Sequence, residues 1–336
     1  MYIVGRMRKI LTTKIGEDAI WTSCSLNGNA AIIVGTFNVH EKYGIMLEKI
    51  NFEGKIHWKK HLEIKCNCEA NSILRNGERY IIAGNACGIP TKFGGMNWKA
   101  YIIEVDNEGN KLSERIYKLG ENDAIYSLQK VKNGIIGIGE TQINNKKYIF
   151  LIKINKQLEL LESKLYGPYT DIIIGGISEN IIGFSFQKNK RWYGLILEID
   201  ENLNTTREIA KLDDVLIYSL YLVYNEIYLS GEKQGQGYVA KILKDEAITE
   251  KIMPKGVITK IKAYGDRIIG VGDNENSLYI SVLNDSLNLV YEHLEKCVQG
   301  WFEDVCFNEH HVLAIGYSLK HREAIALILE NRNLFF

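Results

Sequence analysis

Apolar residues in this chain come in short bursts, and the clearest example lies between Asp123 and Gly167. Four runs occur there, Ile125 to Val131, Ile135 to Glu140, Tyr148 to Ile154 and Leu160 to Tyr166. Lys132-Asn133-Gly134, the polar stretch Gln142 to Lys147 and Asn155-Lys156-Gln157 separate them. Runs this short, rich in β-branched and aromatic residues and bounded by Asn and Gly, predict four strands joined by hairpins, here lettered a to d.

The same unit recurs along the whole chain. The second run closes on a small residue at Gly35, Gly84, Gly139, Ser185, Gly231, Gly272 and Gly316, with separations of 49, 55, 46, 46, 41 and 44. A period near that of a four-stranded blade, present seven times, predicts an all-β fold, a seven-bladed β-propeller with four antiparallel strands per blade. The c strands, such as Tyr43 to Ile50 and Tyr193 to Ile199, are almost continuously apolar. That pattern suits a strand covered on both faces by neighbouring blades. The seventh unit has a (Phe302 to Phe307), b (Val312 to Tyr317) and c (Glu323 to Leu329) but no d run. Met7 to Thr13 precedes the first a strand and is expected to complete that last blade, removing an open sheet edge.

One domain spanning 1–336 is expected, because a repeat fold grows by adding blades rather than by enlarging one core. Charge changes the picture little. Lys and Arg total 41 and Asp and Glu total 41, so no bulk attraction to nucleic acid or anionic lipid is implied. No apolar run approaches the ~18 residues of a membrane span, and the first 20 residues carry no signal-type apolar core. A cytoplasmic protein without membrane insertion is the expectation. Cys66, Cys68 and Cys87 suggest a metal site or a Cys68–Cys87 disulfide, against the plainer reading of reduced, packed thiols. Cys24 and Cys306 read as core. His57 and His61, with spacing suited to a helix rather than a strand, read as structural, and the glycosylation-type sequons at Asn204 and Asn284 read as chance matches in c-to-d turns.

Ser127-Leu128, Asn133-Gly134, Gly139, Leu151 to Ile154 and the Tyr166-Gly167 exit together form a pattern that resembles the β-propeller repeats of uncharacterised bacterial and archaeal surface proteins. Leu47 to Ile50 and Trp58 in the first unit extend it. The resemblance implies the propeller fold and transfers no catalytic residue.

Two sets of residues are candidates for function. Asp18, Asp123, Asp171 and Asp214, with Glu69 and Glu303, stand at or just before the a strands. Carboxylates converging there would bind Ca²⁺ or another divalent cation, or act as acid and base, whereas the structural alternative has each accepting backbone hydrogen bonds. The b-to-c loops combine basic and aromatic residues, with Lys92, Phe93, Trp98, Lys190, Arg191 and Trp192 as the candidate binding set. The loop from Ala86 to Trp98 is the longest departure from the repeat. No phosphate loop, dinucleotide fingerprint or nucleophile elbow is present. The expected function is therefore a non-catalytic binding or scaffold module that recognises a protein partner, with no cofactor. The alternative is a metal-dependent hydrolase or lyase acting on a sugar or lactone.

Overall fold

The computed structural model describes residues 6–62, 66–87, 97–243, 247–253 and 256–330, with backbone alone at 6–9 and 297. Every regular element among them is a β-strand, twenty-seven in all. Five sheets hold four strands each in simple chain order, beginning with Asp18–Asn27, Cys68–Asn76, Asn122–Val131, Asp171–Ser178 and Val215–Val223 as strand a of blades 1 to 5. Blades 6 and 7 share a seven-stranded sheet, because Leu289–Phe307 runs through both. Its first half pairs with the c strand of blade 6 (Tyr291↔Val282), and its second half is the a strand of blade 7 (Val305↔Ala314). Arg6–Thr13 lies antiparallel to Glu323–Glu330, with Arg6 opposite Glu330 and Thr13 opposite Ala324, and completes blade 7. The fold is thus the all-β, seven-bladed propeller read from the repeat.

The recurring glycine has a steric cause. In blades 1, 2, 3, 6 and 7 the a strand carries a β-bulge directly after the residue paired with Gly35, Gly84, Gly139, Gly272 or Gly316. At each of these glycines a Cβ would run into a carbonyl oxygen of the bulged strand, for example that of Ile20, Ala124 or Trp301. Only glycine allows that approach. In blade 4 the bulge lies between Ile174 and Gly176, and Ser185 takes the position. Its hydroxyl donates to the Val215 carbonyl and accepts from the Ile217 N–H.

The c-to-d turns are built alike. Asn51, Asp106, Asn155, Asp200 and Asn284 each accept the N–H groups two and four residues on. Leu158, Leu203 and Leu287, at positive φ, plug three of these turns with their buried side chains. The two sequon asparagines belong to this framework, Asn204 donating to Asp200 at 3.3 Å and Asn284 capping its own turn.

The described chain divides into two compact units. One comprises Met1–Glu41, Met46–His61 and Tyr221–Phe336, and the other Lys42–Ile45 and Leu62–Leu220. Within each, apolar clusters fill the space between successive blades. In the first unit Trp21, Ile33, Met46 and Phe52 of blade 1 meet Cys306, Leu313, Ile315 and Ala326 of blade 7. In the second, Ile136, Ile138 and Leu151 of blade 3 meet Phe184, Leu195 and Leu203 of blade 4. The c strands, such as Ile149 to Ile152, are fully buried, while the outer strand Leu160–Tyr169 is mostly exposed. No described helix is long and apolar enough to cross a membrane.

Candidate functional site

Four of the candidate acids face a lysine or arginine of the preceding blade, and Arg191 of the candidate binding set is one of these cations. In blades 1, 3, 4, 5 and 6 the b-to-c hairpin turns through two successive residues at positive φ, His40-Glu41, Asn144-Asn145, Asn189-Lys190, Gln234-Gly235 and Glu275-Asn276. Such turns match the strand twist and fix the register of the c strand. In blades 2, 3, 4 and 7, a cation at or just before the start of the c strand reaches the acid that opens the next blade. Arg191 grips Asp214 with two hydrogen bonds of 3.2 and 3.0 Å. Lys147 lies 2.6 Å from Asp171, Arg322 2.8 Å from Asp18, and Lys99 3.9 Å from Asp123. The Arg191 and Arg322 guanidinium groups are held further up by these hydrogen bonds.

The acids differ in depth. Asp123 is buried, and its carboxylate accepts from Thr141 Oγ1 at 2.5 Å and from the Leu119 N–H at 3.1 Å. Asp18, Asp171 and Asp214 are partly exposed. Glu69 accepts from Asn85 at 2.9 Å. Glu303 takes the Trp301 indole N–H, and burial raises its carboxyl despite that bond and nearby Lys260. Among the described residues no three His, Cys, Asp or Glu side chains converge as a metal-holding group.

Trp98 and Trp192 occupy equivalent positions. The carbonyl of Trp98 accepts the Asp123 N–H and that of Trp192 accepts the Asp214 N–H, each at 3.0 Å. The Trp98 ring makes an edge contact with Tyr43 at 6.1 Å. Lys190 is exposed on its hairpin, whereas Arg191 is engaged with Asp214. Lys92 and Phe93 lie outside the described residues. Of the candidate binding residues, Arg191 alone pairs with a candidate acid among the described residues, while Trp98 and Trp192 meet the next blade through their carbonyls.

A polar cleft of about 160 Å³ opens beside Trp98 in the second unit, between the a and b strands of blades 2 and 3. Glu69, Asn71, Asn85, Tyr126 and Glu140 line it with Trp98. Asn71 donates to the Ile125 carbonyl at 3.0 Å, and the Tyr126 hydroxyl donates to Glu140 at 2.9 Å.

Sequence reasoning missed an ion pair that joins three blades. Lys262 of blade 6 donates to Asp304 of blade 7 at 2.8 Å and to the Val305 carbonyl at 2.6 Å. The second Asp304 oxygen accepts from Ser23 Oγ and the Cys24 N–H of blade 1, each at 3.0 Å. Burial would raise this carboxyl, but Lys262 and Lys260 outweigh it and hold it below the usual range. Burial would likewise lower Lys262, and Asp304 opposite holds it up. The signal in the sequence was a charge set against apolar neighbours, Lys262 between Ile261 and Ala263 and Asp304 before Val305.

Cys24, Cys66, Cys68, Cys87 and Cys306 are not joined in disulfides. Cys66, rather than Cys68, is the hydrogen-bond neighbour of Cys87, and Cys68 instead points its thiol at the Tyr43 carbonyl at 3.8 Å. Burial pushes Cys66 up to about 11 and Cys68 to about 12.

No protein-family model and no curated protein matches the chain. Solved structures do match in fold. Sqt1 from Chaetomium thermophilum superposes with a TM-score of 0.56 at 10% identity, over 98% of this chain and 100% of that one. The polysaccharide lyase Uly1 gives 0.56 at 9% identity over 92% and 89%. The β-propeller domain of the Trilobed protease from Pyrococcus furiosus, described as having an open velcro topology, gives 0.54 at 13% identity over 94% and 99%. These likenesses extend to the fold.

Proposed function

We propose that this chain is a non-catalytic binding module that recognises a protein partner through the end of the blades carrying the b-to-c hairpins. The reading rests on the ion pairs Arg191–Asp214, Lys147–Asp171, Lys99–Asp123 and Arg322–Asp18. Each joins one blade to the next, and a carboxylate already neutralised by a fixed cation is poorly placed to hold a metal or move a proton. A Ca²⁺-dependent hydrolase or lyase would first have to release these acids. The pairs hold a surface in one shape, which lowers the ordering cost of docking a partner. Lys190 and the tryptophans beside the pairs supply the charge and aromatic area that partner surfaces favour. The fold itself is neutral on this question, since it also serves a polysaccharide lyase.

The test is affinity capture from the source organism with the wild-type chain and with a Lys190→Glu/Trp192→Ala variant, which leaves the Arg191–Asp214 pair in place. A protein retained by the wild type and lost by the variant at equal thermal stability is the expected result. Retention of the same protein by both forms would overturn the choice of surface, and divalent-ion-dependent turnover of a sugar or lactone would overturn the non-catalytic reading.

A further inference from the structure

We infer that the cleft beside Trp98 receives the guanidinium group of an arginine side chain presented by the partner, an assignment that rests on the binding-module reading. Its size excludes a whole metabolite. At about 160 Å³ it falls short of the ~300–1,000 Å³ usual for small-molecule pockets and suits one side-chain head group.

Its charge specifies which head group. Three carboxylates line the cleft, Glu69 from the a strand of blade 2, Glu140 from the b strand of blade 3 and Asp123, which is already paired with Lys99. Glu69 and Glu140 differ from Asp123. Each accepts one hydrogen bond from a neutral donor, Asn85 to Glu69 and Tyr126 to Glu140, both at 2.9 Å. Neither makes an ion pair among the described residues, although Asp18, Asp123, Asp171 and Asp214 at the corresponding ends of their blades each have a lysine or arginine. The amide donors of Asn71 and Asn85 are turned onto the Ile125 carbonyl and Glu69, so they add no positive field. Burial and the charge of Glu140 and then Glu69 hold the Tyr126 phenol well above its ordinary range, so it stays a donor. With no paired cation for Glu69 or Glu140 among the described residues, both carboxylates would attract a cation that enters the cleft.

Shape then separates the possible cations. A divalent metal would need three or more converging ligands, an arrangement not found among the described side chains. An ammonium is a compact point charge with a tightly held hydration shell. A guanidinium is planar, sheds water more readily, carries five donors that can reach both carboxylates, and stacks on aromatic faces such as those of Trp98 and Tyr126. Arginine fits each of these demands.

The probe is a set of blocked pentapeptides, Gly-Gly-Xaa-Gly-Gly with Xaa as arginine, lysine or citrulline. Binding is monitored by the NMR shift of the Trp98 indole N–H, identified with Trp98→Phe. The arginine peptide should bind at least about tenfold more tightly than the citrulline peptide, weaken as salt rises, and lose about tenfold in affinity to a Glu69→Gln/Glu140→Gln variant. The single variants, which keep every hydrogen-bond acceptor, guard against a folding defect and should each lose part of that factor. Equal binding of arginine and citrulline peptides, undiminished binding by the folded double variant, or no shift in the wild type would each overturn the assignment. Partner capture is scored in parallel. A partner retained equally by the double variant defeats the guanidinium assignment and leaves the binding module standing, whereas arginine-peptide binding without any captured protein defeats the module and leaves the cleft.

Discussion

Replacing Asp304 by Asn tests how blades 6, 7 and 1 are joined within the first unit. The change removes the charge opposite Lys262 while conserving shape. Asp304 is only 2% exposed, and it serves Lys262, Ser23 and the Cys24 and Val305 N–H groups together. Removing one member of a buried ion pair costs ~3–5 kcal/mol, because the remaining charge is left desolvated. Lys262 keeps its bond to the Val305 carbonyl, which places the expected loss near the lower end, about 3 kcal/mol. Guanidinium unfolding read by tryptophan fluorescence measures it, and Asp304→Asn with Lys262→Met should recover most of the loss, since a pair replaced by neutral groups is often tolerated. The pH dependence supplies a sign. The folded Asp304 carboxyl lies below its unfolded value of about 3.9, so its contribution is present above that pH and is lost as pH falls through the folded value. The folded Lys262 lies above its unfolded value of about 10.4, so its contribution is present below that pH and is lost as pH rises through the folded value. In Asp304→Asn the largely buried lysine loses its counter-charge and its pKa falls, so stability should rise with pH in the alkaline range, opposite to the wild type. A loss below about 1 kcal/mol, or the same alkaline slope in both proteins, would refute the reasoning.

The fold carries three further expected outcomes. A chain starting at Lys14 loses the ladder to Glu323–Glu330 and should melt well below the full chain, and an unchanged melting curve would overturn the role of Arg6–Thr13. Gly139→Ala drives a methyl into the Ala124 carbonyl and the Phe150 ring and should cost ~1–3 kcal/mol or more, whereas Gly137→Ala meets side chains at 3.2 Å and beyond and should cost less. Equal denaturation midpoints for the two would remove the steric reading of the repeat. With its pKa at about 11, Cys66 is only about 0.1% thiolate at pH 8, so disulfide reagents should label it some hundredfold more slowly than free cysteine until the protein unfolds.

Most of the fold was legible because every repeat spells the same local message. In blade 3 the apolar runs correspond to strands Asn122–Val131, Gly134–Ile143, Lys146–Ile154 and Leu160–Tyr169, each extended mainly at the polar ends where the ladder continues past the buried residues. The glycine period pointed to the blade, although its cause, a bulge in the neighbouring strand, is a backbone feature no side-chain pattern displays. The site was less legible. Acids and basic residues were each read correctly as recurring, but they were assigned to separate tasks because their pairing runs between blades. A fixed separation gave it away in principle, since Lys99–Asp123, Lys147–Asp171 and Arg191–Asp214 are 24, 24 and 23 residues apart. The Arg322–Asp18 pair, joining blades 7 and 1, could not be seen that way. The cleft also escaped notice, because Glu69, Trp98 and Glu140 sit on two different strands and a connection, and only the packing of blade 2 on blade 3 brings them together.

The pairing of Arg6 with Glu330 bears on how the molecule meets a mechanical load. The two chains of the ladder that completes blade 7 leave it from the same rung. A pull applied between them strains the hydrogen bonds one after another, as in opening a zipper, instead of shearing all the rungs at once. The last blade is then the weak link under tension, and Arg6–Thr13 peels away at low force.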